Sequence, residues 1–272
     1  MLLIIFRLAK DSSAFRKWPP KNAWDEIMKY KLHVFPFSNY CEKTLWALDQ
    51  MGADYTVQTH FPGPHAGRIK KLSDQTAVPV LEDGGHVITG SAAIIAHVLA
   101  NTPSSDLLPK EHAEEILNWQ ERLDNVGATL RGTLFYDILP NASEAITTLT
   151  MGQKHPLSGY GLFFRAMRPM LMRMLKKGMP DVELARADCI SVLDDIAIGA
   201  EPSGYLVGDR LTLADIAAAA TFFPICMPEM AMGQPRPANF PNLEIWRARW
   251  DGHPAIPYLS NIYRQHRAPA HI

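Results

Sequence analysis

The 272-residue sequence predicts two unlike parts: an α/β module with the order βαβαββα, followed by an all-helical bundle. Three observations carry this reading. Short runs rich in β-branched and aromatic residues alternate with helical spacing between Lys31 and Thr89. A turn-rich polar stretch, Asn101–Pro109 (NTPSSDLLP), follows. Beyond it the strand pattern vanishes and long segments of helical periodicity take over.

The elements follow in order. Lys31–Phe35 (KLHVF) fits a strand that stops at Pro36. Glu42–Met51 places Leu45, Leu48 and Met51 at helical spacing, and Gly52 follows where a helix C-terminus favours glycine. Asp54–Thr59 (DYTVQT) reads as a second strand. A loop with Pro62, Gly63, Pro64 and Gly67 leads to a short helix at Arg68–Leu72. Val78–Leu81 and His86–Thr89 read as an antiparallel pair closed by Asp83-Gly84-Gly85. Ser91 is expected to cap a helix whose apolar face is Ile94, Ile95, Val98 and Leu99. Helices are then expected over Glu111–Leu139, Gly161–Lys177, Val182–Ile198, Leu213–Ile225 and Leu243–Trp250. The boundaries that result are an N-terminal extension at 1–29, the α/β domain at 30–101, a linker at 102–110 and the helical domain at 111–272.

Bulk composition narrows the function. Hydrophobic residues make up 47 % and charged residues 20 %, the balance of a globular chain. Lys and Arg (27) offset Asp and Glu (28), so no global field favours nucleic acid. The three cysteines, Cys41, Cys189 and Cys226, include no CxxC pair. That argues against a disulfide framework or structural zinc and points to a reducing, cytoplasmic setting. The histidines form no HxxxH or HExxH array, and no GxGxxG or P-loop is present, so neither metal nor nucleotide is expected. The opening MLLIIF has only six residues, short of the ~7–15 of a signal core. Membrane contact of residues 1–29 is not expected.

Two stretches carry chemistry. Ser38-Asn39-Tyr40-Cys41 sits where a strand gives way to a helix. A helix N-terminus leaves N–H groups unpaired and carries partial positive charge. A thiolate held there is stabilised, so its pKa falls. That thiolate can belong to Cys41 or to a bound thiol steadied by the Ser38 hydroxyl. Plain N-capping by Ser38 would look the same in sequence. Cys41, in the first turn, is expected to face inward. In Thr76-Ala77-Val78-Pro79-Val80-Leu81, a proline inside a strand suggests a bend or a cis bond. Either would free the Val78 backbone for a peptide-like ligand, although an ordinary edge-strand proline reads alike.

These motifs together resemble the cytosolic glutathione transferases of the serine/cysteine type. The matching features are S-x-x-C opening a helix, V-P-V-L some forty residues on, a Gly-rich hairpin and a Ser-led helix. In the second half, Gly204–Ile216 (GYLVGDRLTLADI) is similar to that family's helical-domain signature, with Thr212 and Asp215 spaced as a capping box. Phe240-Pro241-Asn242-Leu243…Trp246 resembles its last-helix entry, and the likeness spans about residues 31–265. The resemblance implies a thioredoxin-like N-terminal domain and an all-α C-terminal bundle. It also implies that Ser38 activates glutathione, a co-substrate, and that Cys41 occupies a resolving-cysteine position. Val78 beside cis-Pro79 would bond the cysteinyl backbone, and Ser91 the γ-glutamyl carboxylate. His65, Arg68 and Lys71 are candidates for the glycyl carboxylate. An acceptor pocket would draw on Phe135, Tyr136 and Phe164, with Phe163 and Met167, Met170, Met172 and Met174 nearby; bundle core is the simpler reading of these. One departure stands out: Gly90 replaces the acid that usually precedes the serine and would meet the ligand's ammonium group.

The expected function is therefore attack of activated glutathione on an electrophilic, apolar small molecule. Two alternatives remain. One is thiol-disulfide or deglutathionylation chemistry at Cys41, and the other is a non-catalytic binding or scaffold role. A homodimer is expected through Gly67–Leu72 and the helix after the linker.

Overall fold

The computed structural model describes residues 30–102, 105–153, 159–226 and 241–267. The extension at 1–29, read above as a surface arm, and Phe240 lie outside the described residues.

Four strands make one mixed sheet in the order β2-β1-β3-β4. They are β1 (Tyr30–Val34), β2 (Tyr55–Thr59), β3 (Val80–Asp83) and β4 (His86–Thr89). β1 and β2 run parallel, with Leu32 opposite Val57, joined by α1 (Asn39–Gln50). β3 runs antiparallel to β1 with Leu32 opposite Leu81, and β4 returns antiparallel through Gly84 and Gly85. Both glycines have positive φ (53° and 96°), as a tight two-residue turn requires. The alternation of β1 sends Leu32 and Val34 into the core and His33 to the other face. α2 (His65–Ser73) follows β2, and α3 (Ser91–Asn101) follows β4.

The bundle comprises α4 (Ala113–Ile138), α5 (Ala142–Thr150), α6 (Tyr160–Gly178), α7 (Val182–Ala200), α8 (Leu213–Thr221), α9 (Phe223–Cys226), α10 (Pro241–Ala248) and α11 (Ala255–His266). α8 is buried on every side and packs on α4, α1 and α11, so it ties the two domains together. Its start is fixed by a reciprocal capping box. Thr212 Oγ1 accepts from Ala214 N (3.2 Å), and Asp215 accepts from Thr212 N (2.8 Å). Asp215 also accepts from Leu206 N (2.8 Å) and the Tyr258 hydroxyl (2.7 Å). Burial pushes its carboxyl pKa up against the pull of these bonds.

Several boundaries differ from expectation, each for a local reason. β3 starts at Val80, because Pro79 has no N–H to give to the ladder. The residue ahead of α3 is Gly90 (φ +87°); Ser91 is the first helical residue and not the cap. The expected helix 213–225 breaks at Phe222, since Pro224 has no N–H to continue it. Helices α5 and α11 were not foreseen. α5 is short and caught between Pro140 and Gly152, while α11 carries an internal Pro257 in its first turn, where proline is tolerated.

Candidate functional site

β1 ends in Phe35-Pro36-Phe37, and the chain turns into α1 at Ser38, the N-cap (φ −148°, ψ 118°). Ser38 Oγ accepts from Cys41 N (3.3 Å), and Ser38 O accepts from Glu42 N (2.9 Å). Capping uses a lone pair of the hydroxyl, and its proton can go to the Cys41 sulfur beneath it or to a ligand in the cleft. Ser38 can thus cap the helix and hold an anion at once.

α1 is clamped so that this end stays in place. The Lys43 ammonium reaches Asp124 Oδ1 of α4 (2.5 Å), and Tyr40 donates to Asp124 O (2.7 Å). Lys43 is buried, and burial lowers its pKa against the support of Asp124. At the other end of the chain, Arg267 pairs with Glu42 (3.0 Å) and Asp49 (2.6 Å), tying the C-terminal end of α11 to α1.

Cys41 faces inward, the orientation expected of it, which does not suit the alternative of a reactive thiol. Its side chain is fully buried, its Sγ accepts from Phe35 N (3.4 Å), and burial pushes its pKa up to about 11. The inward orientation takes the sulfur off the cleft and into the core beneath Ser38.

The Val78–Pro79 bond is cis. Pro79 O accepts from Gly90 N (3.2 Å), which brings the start of α3 against this bend. Among the described residues no protein group takes the Val78 N–H or the Ser91 hydroxyl. Ser91 stands in the first turn of α3, where free N–H groups make an anion site. Gly90 brings no acidic side chain to this point, and a Cβ added there would meet no described atom within 4 Å.

Of the carboxylate candidates, His65 is committed elsewhere. Its Nδ1 accepts from Gly63 N (3.0 Å), and its Nε2 lies 2.9 Å from Thr76 O, which fixes the neutral Nε2–H tautomer. Burial lowers its pKa, in keeping with that tautomer. Its ring meets Phe35 edge-on at 4.6 Å, so His65 braces the loop rather than offering a charge. Arg68 and Lys71 are exposed on α2.

Between the domains runs a cleft of about 550 Å³. Phe35, Phe37, Ser38 and Pro62 form one wall, α4 contributes Ala128, Arg131, Gly132 and Phe135, and α6 contributes Phe164, Leu171, Met174 and Leu175. Phe135 and Phe164 both line this cleft. Tyr136 does not: one residue on around α4, it lines a separate groove of about 200 Å³ with Met172 and Lys176. Met174 faces the cleft and is 63 % exposed, whereas Met172 packs partly against the core. Phe163 covers Gly63, and the Tyr160 hydroxyl donates to Pro62 O (2.9 Å), so the start of α6 roofs the loop after β2. Phe35, Phe37 and Arg131 were missed in sequence. The aromatic pair flanking Pro36 was a usable signal; nothing local marked Arg131.

A buried polar cluster adjoins the sheet. His33 Nδ1 lies 2.8 Å from His60 Nε2, and His33 Nε2 lies 2.8 Å from Glu82. Burial, then the neighbouring His33, lowers the His60 pKa to about 4. Among the described residues no three His, Cys, Asp or Glu side chains converge to hold a metal, and no helix is long and apolar enough to cross a membrane.

The fold sets a thioredoxin-like domain beside an all-helical one. Comparison makes the class specific. The N-terminal domain model of the glutathione S-transferases matches residues 32–106, and the C-terminal domain model matches 197–254. A curated relative, Glutathione S-transferase 1 of Dianthus caryophyllus, is 34 % identical over 98 residues, 35 % of this chain. The chain spans 44 % of that relative's length. Among solved structures, a glutathione transferase of Phanerochaete chrysosporium aligns with TM-score 0.58 at 16 % identity, over 89 % of this chain and 98 % of that one. A glutathione S-transferase of Ceriporiopsis subvermispora, solved with glutathione, gives 0.55 at 18 %, over 88 % and 98 %. A beta-etherase of Sphingobium sp. strain SYK-6 gives 0.53 at 22 %, over 85 % and 98 %. The two ends of the chain are thus similar, in order, to the N- and C-terminal domains of the glutathione S-transferases.

Proposed function

We propose that this protein binds glutathione along the Val78–Pro79 bend and transfers it to an electrophilic, largely apolar small molecule in the interdomain cleft. The observation that carries the reading is the Ser38 hydroxyl. It caps α1 and borders the cleft that a second reactant would fill. On this reading the Val78 N–H bonds the cysteinyl backbone, and the Ser91 hydroxyl with the α3 N-terminus receives the γ-glutamyl carboxylate. Arg68 and Lys71 are left to meet the glycyl carboxylate. The Ser38 hydroxyl and the first α1 amides lower the thiol pKa, and holding two reactants side by side supplies proximity. Cys41 takes no step. We further propose a cytoplasmic homodimer joined through 67–72 and α4; sedimentation at rising concentration tests it.

Calorimetric titration with glutathione, combined with conjugation of chlorodinitrobenzene, tests the assignment. Binding together with enzymatic conjugation is expected. No heat at millimolar glutathione would overturn it and favour a non-catalytic role, the reading that Gly90 supports through the missing acid.

A further inference from the structure

Arg131 is the only charged side chain among the described residues that line the cleft; the rest of the wall is almost wholly apolar. Arg131 also borders the small void behind Ser38 and Asn39, so it stands between the proposed sulfur position and the acceptor space. Its guanidinium is exposed and lies 5.7 Å from the Tyr40 ring centroid. No carboxylate pairs with it among the described residues. The two acids of its own helix nearest to it in sequence are engaged elsewhere: Asp124 with Lys43, and Asp137 with Arg186 and Arg249. The facing wall from α6 offers Phe164, Leu171, Met174 and Leu175, with no acid. That wall, like Arg131, lies in residues 107–196, which neither family domain match includes.

A cation in an apolar cleft with no carboxylate partner among the described residues suits a ligand that brings its own negative charge. A guanidinium is planar and presents a fork of donors matched to a carboxylate. We propose that Arg131 is a specificity-determining residue that selects acceptors bearing a carboxylate on an apolar aromatic frame. The frame lies against Phe35, Phe135 and Phe164, and the carboxylate meets Arg131. The inference rests on the transferase reading for its chemistry. In that chemistry the glutathione sulfur bonds to the electrophilic ring carbon. The carbon–chlorine bond of a test acceptor breaks, chloride departs with the electron pair, and the thiol proton passes to water.

The test uses chlorodinitrobenzoate, with its carboxylate para to chlorine, and the corresponding amide. Hydrogen bonds to charged groups are worth about 1.5–3 kcal/mol, or roughly 10- to 150-fold. The acid-to-amide ratio of kcat/KM is therefore expected to fall about 10- to 100-fold in Arg131→Gln and less in Arg131→Lys. Calorimetry with methyldinitrobenzoate and its amide, which lack a leaving group, reads the same preference without turnover. Selective binding of the acid without conjugation sinks the transferase reading and leaves Arg131 assigned. Conjugation with an unchanged acid-to-amide ratio in Arg131→Gln, or wild-type protein that fails to bind the acid, overturns the Arg131 inference.

Discussion

Ser38 has two separable jobs, and replacing it by alanine, aspartate or threonine tells them apart. Ser38→Ala removes both the acceptor for Cys41 N and the donor to the bound sulfur. Loss of the cap costs about 1 kcal/mol of stability. Loss of a hydrogen bond to an anion costs about 1.5–3 kcal/mol, which raises the pKa of bound glutathione by roughly one to two units. Below that pKa, the thiolate fraction and the rate fall by about 10- to 100-fold. Ser38→Asp keeps an excellent cap, because its oxygen can still accept from Cys41 N. It donates nothing and adds a negative charge beside the sulfur, so stability should hold while thiolate formation is lost. Ser38→Thr keeps both roles. The assay is the ultraviolet absorbance of enzyme-bound thiolate against pH, with thermal unfolding in parallel. An unaltered pKa of bound glutathione in Ser38→Ala would refute the donor role and leave Ser38 as a cap only.

Further outcomes follow from particular contacts. Cys41→Ala should cost about 1–3 kcal/mol as a small core cavity without shifting the pKa of bound glutathione, and a thiol reagent should label Cys41 only on unfolding; rapid native labelling would contradict its burial. His60 is held neutral, with its folded pKa lowered to about 4. Between the ordinary histidine range and pH 4 the unfolded chain binds the proton that the folded chain refuses, so stability falls as pH drops from about 6.5 toward 4, by about 1–3 kcal/mol. His60→Gln should flatten that part of the curve, and an unchanged slope would assign it to other groups. Asp215→Ala removes the acceptor of Leu206 N, Thr212 N and the Tyr258 hydroxyl, and chemical denaturation should show a loss of about 3 kcal/mol or more. Gly90→Ala meets open space but forces a side chain to φ +87°, so it should cost about 1–3 kcal/mol; a neutral effect would mean that the turn relaxes.

The sequence by itself determined what depends on near neighbours. The strand alternation, the Gly84-Gly85 turn, the Ser38 cap, the bend at Pro79 and the Thr212–Asp215 box each arise within a few residues, and local spacing encodes them. Tertiary structure decided what depends on which faces meet. Whether Cys41 points to cleft or core, whether Tyr136 or Phe135 enters the acceptor space, and whether His65 binds a ligand or braces a loop all turn on how separate segments pack together. Arg131 shows the same division: in sequence it is one basic residue on a long amphipathic helix. Only the approach of α6 and the β1–α1 turn sets it as a charge on an apolar wall, because a cleft is a property of surfaces brought together and no single segment contains it.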